Sequence, residues 1–170
     1  MASLMEDFMS VLEAENGEYQ RLTELSQKKR QIIIDADISG LEDITGREQE
    51  IASTIRNLEN KRQEVINDMA IVLSKDPKDL TITNMIAFLN KQPEEQEKLR
   101  NIQSRLRETL ERMALINQQN ELLLQQAMEM VEFDLTLFKS MRQAPVTANY
   151  DKHAYNTGDL LGSSGFDFQQ

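Results

Sequence analysis

Residues 41–72 read LEDITGREQEIASTIRNLENKRQEVINDMAIV, and the spacing of the apolar residues in this stretch decides the fold. Two positions of a seven-residue repeat form its seam. The first position holds Ile44, Ile51, Leu58, Val65 and Val72, and the second holds Leu41, Glu48, Ile55, Arg62 and Met69. Such a repeat predicts a long helix that packs lengthwise against other helices. Glu48 and Arg62 interrupt the seam, and polar residues at such positions can fix the register.

The chain on both sides of this stretch also carries apolar residues every three or four positions, which is the helical period. Pro77 and Pro93 mark breaks in the pattern. We predict helices over about residues 3–34, 38–74, 81–91 and 94–141. Because the first joint is short, the first two long helices should be antiparallel neighbours. The predicted fold is all-α: an elongated antiparallel bundle or coiled coil of three long helices with a short connecting helix, over residues 1–142.

Residues 143–170 have a different composition, and we predict a flexible, disordered C-terminal tail there. Pro, Asn, Thr, Gly and Ser dominate this region, and the apolar periodicity ends. Isolated aromatic residues, among them Tyr150 and Tyr155, are spaced along it.

The charge balance excludes several classes of partner. The 170 residues carry 19 Lys and Arg against 29 Asp and Glu, for a net charge of −10. Nucleic-acid binding depends mainly on basic residues that neutralise phosphates, so we expect no nucleic-acid partner. No apolar run approaches the roughly 20 residues that span a bilayer, so we expect no membrane insertion. A secretion signal begins with a basic region, and the first seven residues of this sequence hold no basic residue. We therefore expect a cytoplasmic location.

The inventory of reactive residues predicts that the protein is not an enzyme. There is no cysteine, and the one histidine, His153, lies in the predicted tail. Residues 35–40 resemble the start of a calcium-binding loop, but Gly46 stands where the loop needs its last glutamate. We therefore expect no metal site and no cofactor, and we assign Asp37 to capping the second helix.

Two asparagines interrupt the apolar stripe of the third long helix. Asn117 and Asn120 stand where the stripe expects apolar residues. They are consistent with a register-fixing polar layer inside the bundle, or with a side of the helix that awaits a partner. Both interpretations stay open at this stage, and both residues are candidates for partner binding.

Past this point the third helix becomes apolar over a wide arc. The main stripe continues through Leu124, Val131, Leu135 and Phe138. A second stripe runs about 100° from it, and Phe133 widens the surface further. The candidate client-binding residues on the wider surface are Leu123, Met130, Phe133 and Leu137. This surface is either covered by the first two helices or serves as a client or dimer site.

Several segments of the chain form one combination of motifs. The first helix contains Glu15, Tyr19, Leu22 and Leu25 followed by Lys28-Lys29-Arg30, and a break follows at residues 35–37. The second helix opens Leu41-x2-Ile44-x3-Glu48-x2-Ile51. Residues 117–123 read NQQNELL, and the tail carries YNTG at 155–158. Together these segments resemble the FlgN family of flagellar export chaperones. The tail departs from the family pattern in its shorter tyrosine–glycine spacing.

The resemblance implies a cytoplasmic chaperone of flagellar type III export. Such proteins bind hook-associated (hook–filament junction) proteins, prevent premature assembly and deliver them to the export gate. The family's gate-docking tyrosine would correspond to Tyr155, with Tyr150 as the alternative. Two other functions remain possible from the residues alone: a self-associating structural coiled coil, forming a homodimer, or a helical adaptor of another secretion or division system.

Overall fold

The computed structural model describes residues 2–143, and every regular element in this range is helical, with no strand. The all-α prediction is therefore confirmed. The α-helices are α1 (Ala2–Ile34), α2 (Ile38–Leu73), α3 (Ile82–Phe88) and α4 (Pro93–Gln143). Single 3₁₀ turns at Pro77–Asp79 and Leu89–Lys91 flank α3, so the predicted helix over 81–91 is divided between α3 and the second turn. The predicted tail lies, apart from Gln143, outside the described residues.

The chain divides into two compact units, Met1–Met130 and Val131–Gln170. The contacts described in this subsection all lie in the first unit. The expected closed arrangement of three long helices and the boundary of the tail stay predictions.

The turn between α1 and α2 is fixed by local hydrogen bonds and one close approach. Ala36 has a φ of 52°, which reverses the chain after α1. Asp37 caps α2, as predicted, because its Oδ1 accepts a hydrogen bond from the Gly40 backbone N–H at 2.9 Å. A Cβ at Gly40 would collide with this carboxylate, so the cap depends on glycine there.

Side-chain contacts set the direction of each long helix in the first unit. Glu15 pairs with Arg62 and Lys29 pairs with Glu48, so α1 and α2 run antiparallel. Between α1 and α4, Glu13 accepts a hydrogen bond from Arg105, and Ser26 donates one to Asn117, so residue numbers increase in the same direction along both helices. In this unit α4 therefore runs in the same direction as α1.

The apolar core consists of two separate clusters with different helices in them. The larger cluster joins all four helices through residues including Phe8, Met69, Met85 and Leu99, each at most 1% exposed. The smaller cluster contains only α1 and α2 residues, with Leu25, Ile44, Ile51 and Ile55 buried. Thus α4 takes part in the first cluster and contributes nothing to the second.

One seam position of α2 differs from the prediction at its C-terminal end. Val72, predicted to lie in the seam, is 56% exposed, whereas Ala70 is buried and Ile66 and Leu73 pack against the larger cluster. A straight helix of 3.6 residues per turn drifts relative to a strict seven-residue repeat. The drift moves the buried face from Val72 to its neighbours.

The two charged residues that interrupt the α2 seam are each matched by an opposite charge on α1. Arg62 Nη1 donates to Glu15 Oε2 at 2.8 Å, and Lys29 Nζ donates to Glu48 Oε2 at 3.0 Å. On α2, Glu48 lies between Ile44 and Ile51 of the smaller cluster, and Arg62 lies between Ile55 of that cluster and Val65 of the larger one. A one-residue slip of α1 against α2 would separate both pairs, so they specify the register of this hairpin.

Glu15 is the most deeply buried ionisable group described. Its side chain is fully buried, and its Oε1 has no hydrogen-bond partner among the described residues. Burial raises the pKa of Glu15 above its ordinary value of 4.5, the Arg62 guanidinium opposes this, and the Glu59 carboxylate adds to it. Keeping Glu15 ionised in its buried position costs free energy. This cost offsets part of the stability that the ion pair with Arg62 contributes.

We predict that Glu15→Gln changes the pH dependence of stability. The folded protein binds a proton at Glu15 more readily than the unfolded chain does, so this residue's contribution falls as pH rises through its raised pKa. The wild type should gain stability relative to the variant as pH is lowered from neutral toward 4.5. The quantity that increases is the difference between their free energies of unfolding, wild type minus variant. Urea unfolding at a series of pH values measures this difference. Glu24→Gln, a change on an exposed side chain of the same helix, is the control, and a difference that decreases on acidification would contradict this prediction.

Candidate functional site

The buried face of α4 follows one series of positions spaced alternately by three and four residues. Every buried residue of α4 lies on this series: Leu99, Ile102, Leu106, Thr109 and Asn120. Continued in the same register, the series passes through Leu123 and Ala127, which are half-buried, and reaches Met130, Asp134, Leu137 and Met141, which are exposed. Leu123, Met130 and Leu137 form the second apolar stripe in the sequence. They therefore stand at positions that continue the spacing of the buried residues of α4.

The two candidate asparagines both contact α1 at Ser26. Asn120 is 5% exposed, and its Nδ2 donates to the Ser26 backbone carbonyl at 2.6 Å. Ser26 Oγ donates to Asn117 Oδ1 at 3.0 Å. This placement supports the interpretation of a polar layer within the fold, because the hydrogen bonds join α4 to α1 where α4 has left the apolar core.

A groove of about 460 Å³ lies beside this layer, between α1, α2 and α4. Leu22, Ile33, Ala52 and Leu124 give it apolar walls, and the Lys29–Glu48 ion pair also lines it. The Oδ1 atom of Asn120 is buried and has no hydrogen-bond partner among the described residues. No local sequence pattern marks this groove, because its lining comes from three helices that are distant along the chain.

In the first unit, the C-terminal part of α4 exposes large apolar side chains. Leu122, Met128 and Met130 are each between 59% and 67% exposed. Of the predicted apolar client-binding residues in this unit, Met130 is exposed and Leu123 is half-buried. Among the residues described here, α1 and α2 therefore do not cover the wider surface at Met130.

In the second unit, the described residues are the last helical turns of α4, and all are exposed. The candidates Phe133 and Leu137 are 67% and 50% exposed. The remaining large apolar side chains of this segment, each at least 53% exposed, are Val131, Leu135, Phe138 and Met141. Exposure of six large apolar side chains within 11 residues is typical of a surface that binds another protein.

The remaining predicted sites are placed as follows. Tyr155 and Tyr150, the docking candidates, lie outside the described residues. In the calcium-like segment, Asp37 caps α2, and Asp35 Oδ1 accepts a hydrogen bond from Gln31. Within residues 2–143 no group of three acidic or histidine side chains is arranged to hold a metal ion. No helix in the same range is long and apolar enough to cross a membrane.

Over the described residues the protein is all-helical, and its longest helix, α4, ends in an exposed apolar face. The model of the FlgN protein family matches residues 1–157, which is most of the chain. The chain belongs to the FlgN family, and the resemblance seen in the sequence is confirmed. Membership supports a general role as a flagellar export chaperone. Comparisons with curated proteins and with solved structures found no match.

We predict that Asn120→Leu lowers the free energy of unfolding by about 1 kcal/mol or more, because it removes the buried hydrogen bond from Asn120 Nδ2 to the Ser26 carbonyl. It should leave binding of a client unchanged if Asn120 belongs to an internal polar layer. Urea unfolding and a client titration check both parts, with Gln119→Leu at the exposed neighbouring position as the control. A loss of client affinity with unchanged stability would assign Asn120 to a partner site instead.

Proposed function

We propose that this protein is a cytoplasmic chaperone that binds hook-associated (hook–filament junction) proteins and delivers them to the flagellar type III export gate. Membership of the FlgN family supports the general role. The observation that carries the binding site is the exposed apolar face of α4. In this proposal Met130, Phe133 and Leu137 contact the client, and Leu123 contributes from its half-buried position.

The chemistry of this face suits a client that is unfolded before assembly. A segment that forms an amphipathic helix on binding could lay its apolar side along α4 and be shielded from premature assembly. Methionine side chains such as Met128, Met130 and Met141 adapt to different partners because they repack easily. Ordering a disordered segment reduces the net affinity for a given buried area, which favours later release. The proposed role is binding and needs no catalytic group.

The tail supplies the second proposed contact. We assign gate docking to Tyr155, or alternatively to Tyr150, so that one partner binds α4 and another binds the tail. A homodimer through the exposed apolar face is the competing function, because the same residues could pair with a second copy of the chain. The two functions differ in oligomeric state and in the effect of adding a client.

We predict that changing Met130 and Leu137 together to Ser weakens binding of a hook-associated protein's terminal segment by about tenfold or more, since two apolar anchors are lost from the contact. Helix content should stay near that of the wild type because both side chains are exposed. Titration calorimetry and circular dichroism measure the two quantities. A matched control changes Ile71 and Val72 to Ser, since these residues are equally exposed and lie on α2.

Two further variants test where the client binds. A chain truncated after Gln143 should bind the terminal segment as the full chain does, and Tyr155→Ala should bind the client normally while lowering its secretion. Loss of binding on truncation would move the client site to the tail. A stable dimer that the double Ser variant dissociates, with no client binding, would support the homodimer.

A further inference from the structure

A single carboxylate lies in the exposed apolar face of the second unit's helical segment. Asp134 lies a multiple of seven residues along α4 from Leu99, Leu106 and Asn120. Those three residues are buried in the first unit. The residues three and four positions away on either side are all apolar: Met130, Val131, Leu137 and Phe138. No ion pair to Asp134 occurs within residues 2–143.

Elsewhere in the fold, three polar groups in core-facing positions are matched by the helix that packs on them. Arg62 meets Glu15, Glu48 meets Lys29, and Asn120 meets the Ser26 carbonyl. The energetic reason is general, because burying a charge without a partner costs several kcal/mol, whereas pairing it recovers most of that cost. Any helix that covers the apolar face around Asp134 must therefore supply a positively charged partner for this carboxylate.

Resting on the proposed function, we propose that the client segment is a helix that places a lysine or arginine opposite Asp134 and apolar residues against Leu137 and Met141. The carboxylate then rejects apolar helices that lack the cation, since those would bury it unpaired. The net charge of −10 also favours a partner that carries basic residues at the contact.

A second copy of this chain fits this face less well. In a parallel pair of α4 helices, two Asp134 carboxylates would face each other. An antiparallel pair could bring Arg142 near Asp134, but the Arg142 guanidinium lies 5.3 Å from the centroid of its own Phe138 ring. A net charge of −10 on each copy also opposes association.

The test uses the full-length protein and a hook-associated protein's terminal segment as the probe, with affinities measured by titration calorimetry. Asp134→Lys should weaken binding by about tenfold, because two cations would then be buried together. Asp134→Leu should also weaken binding, since it leaves the segment's cation unpaired. The control is Glu132→Lys, which makes the same change of charge two residues away on another side of the helix and should have less than about a twofold effect.

A charge exchange gives the decisive arm. Changing the segment's basic residues one at a time to Glu should identify one position that weakens binding to the wild type and restores binding to Asp134→Lys. Tighter binding by Asp134→Leu, equal effects of Asp134→Lys and Glu132→Lys, or no restoring position would overturn this inference alone. No binding of the segment by the wild type would overturn the proposed function as well. A dimer of the wild type that Asp134→Lys dissociates would assign the face to a second copy.

Discussion

The ion pair between Glu15 and Arg62 holds the long hairpin in one register. Arg62 stands where the α2 seam calls for an apolar side chain, Glu15 is fully buried on α1, and a 2.8 Å contact joins the two. Because a carboxylate with no exposed surface cannot be left without its cation, alternative registers of the hairpin are strongly disfavoured. α4 packs on this hairpin through the larger apolar cluster and through the Ser26 hydrogen bonds that align it with α1.

The sequence predicted the helical elements because their signals are local. The heptad spacing of α2, the Asp37 cap and the prolines that begin the first 3₁₀ turn and α4 all act within a few residues of the chain. It predicted that Glu48 and Arg62 could fix register, but it did not identify their partners. Glu15 and Lys29 lie 47 and 19 residues away from Arg62 and Glu48, and no local pattern records such pairing.

The register of α4 was harder to predict than its existence. In the sequence, Leu124, Val131 and Phe138 look like the main stripe because they are uniformly apolar. Burial follows Leu99, Ile102, Leu106, Thr109 and Asn120, two of which are polar, and of these only Thr109 lies outside the predicted stripe. A polar residue with a matched partner is compatible with a core-facing position, so apolarity alone does not identify every buried residue. The candidate residues Leu123, Met130 and Leu137 continue this buried series, which explains how a core-like pattern comes to be exposed.

The proposed function depends on client binding at the exposed face of α4. Amide hydrogen exchange, measured with and without a hook-associated protein's terminal segment, tests this binding directly, because exposed helix without tertiary packing exchanges fast and becomes protected when covered. Added protection should concentrate within residues 128–143, with little change in α2 around Ile71. Protection confined to other elements or to residues beyond 143, with residues 128–143 unchanged, would contradict it.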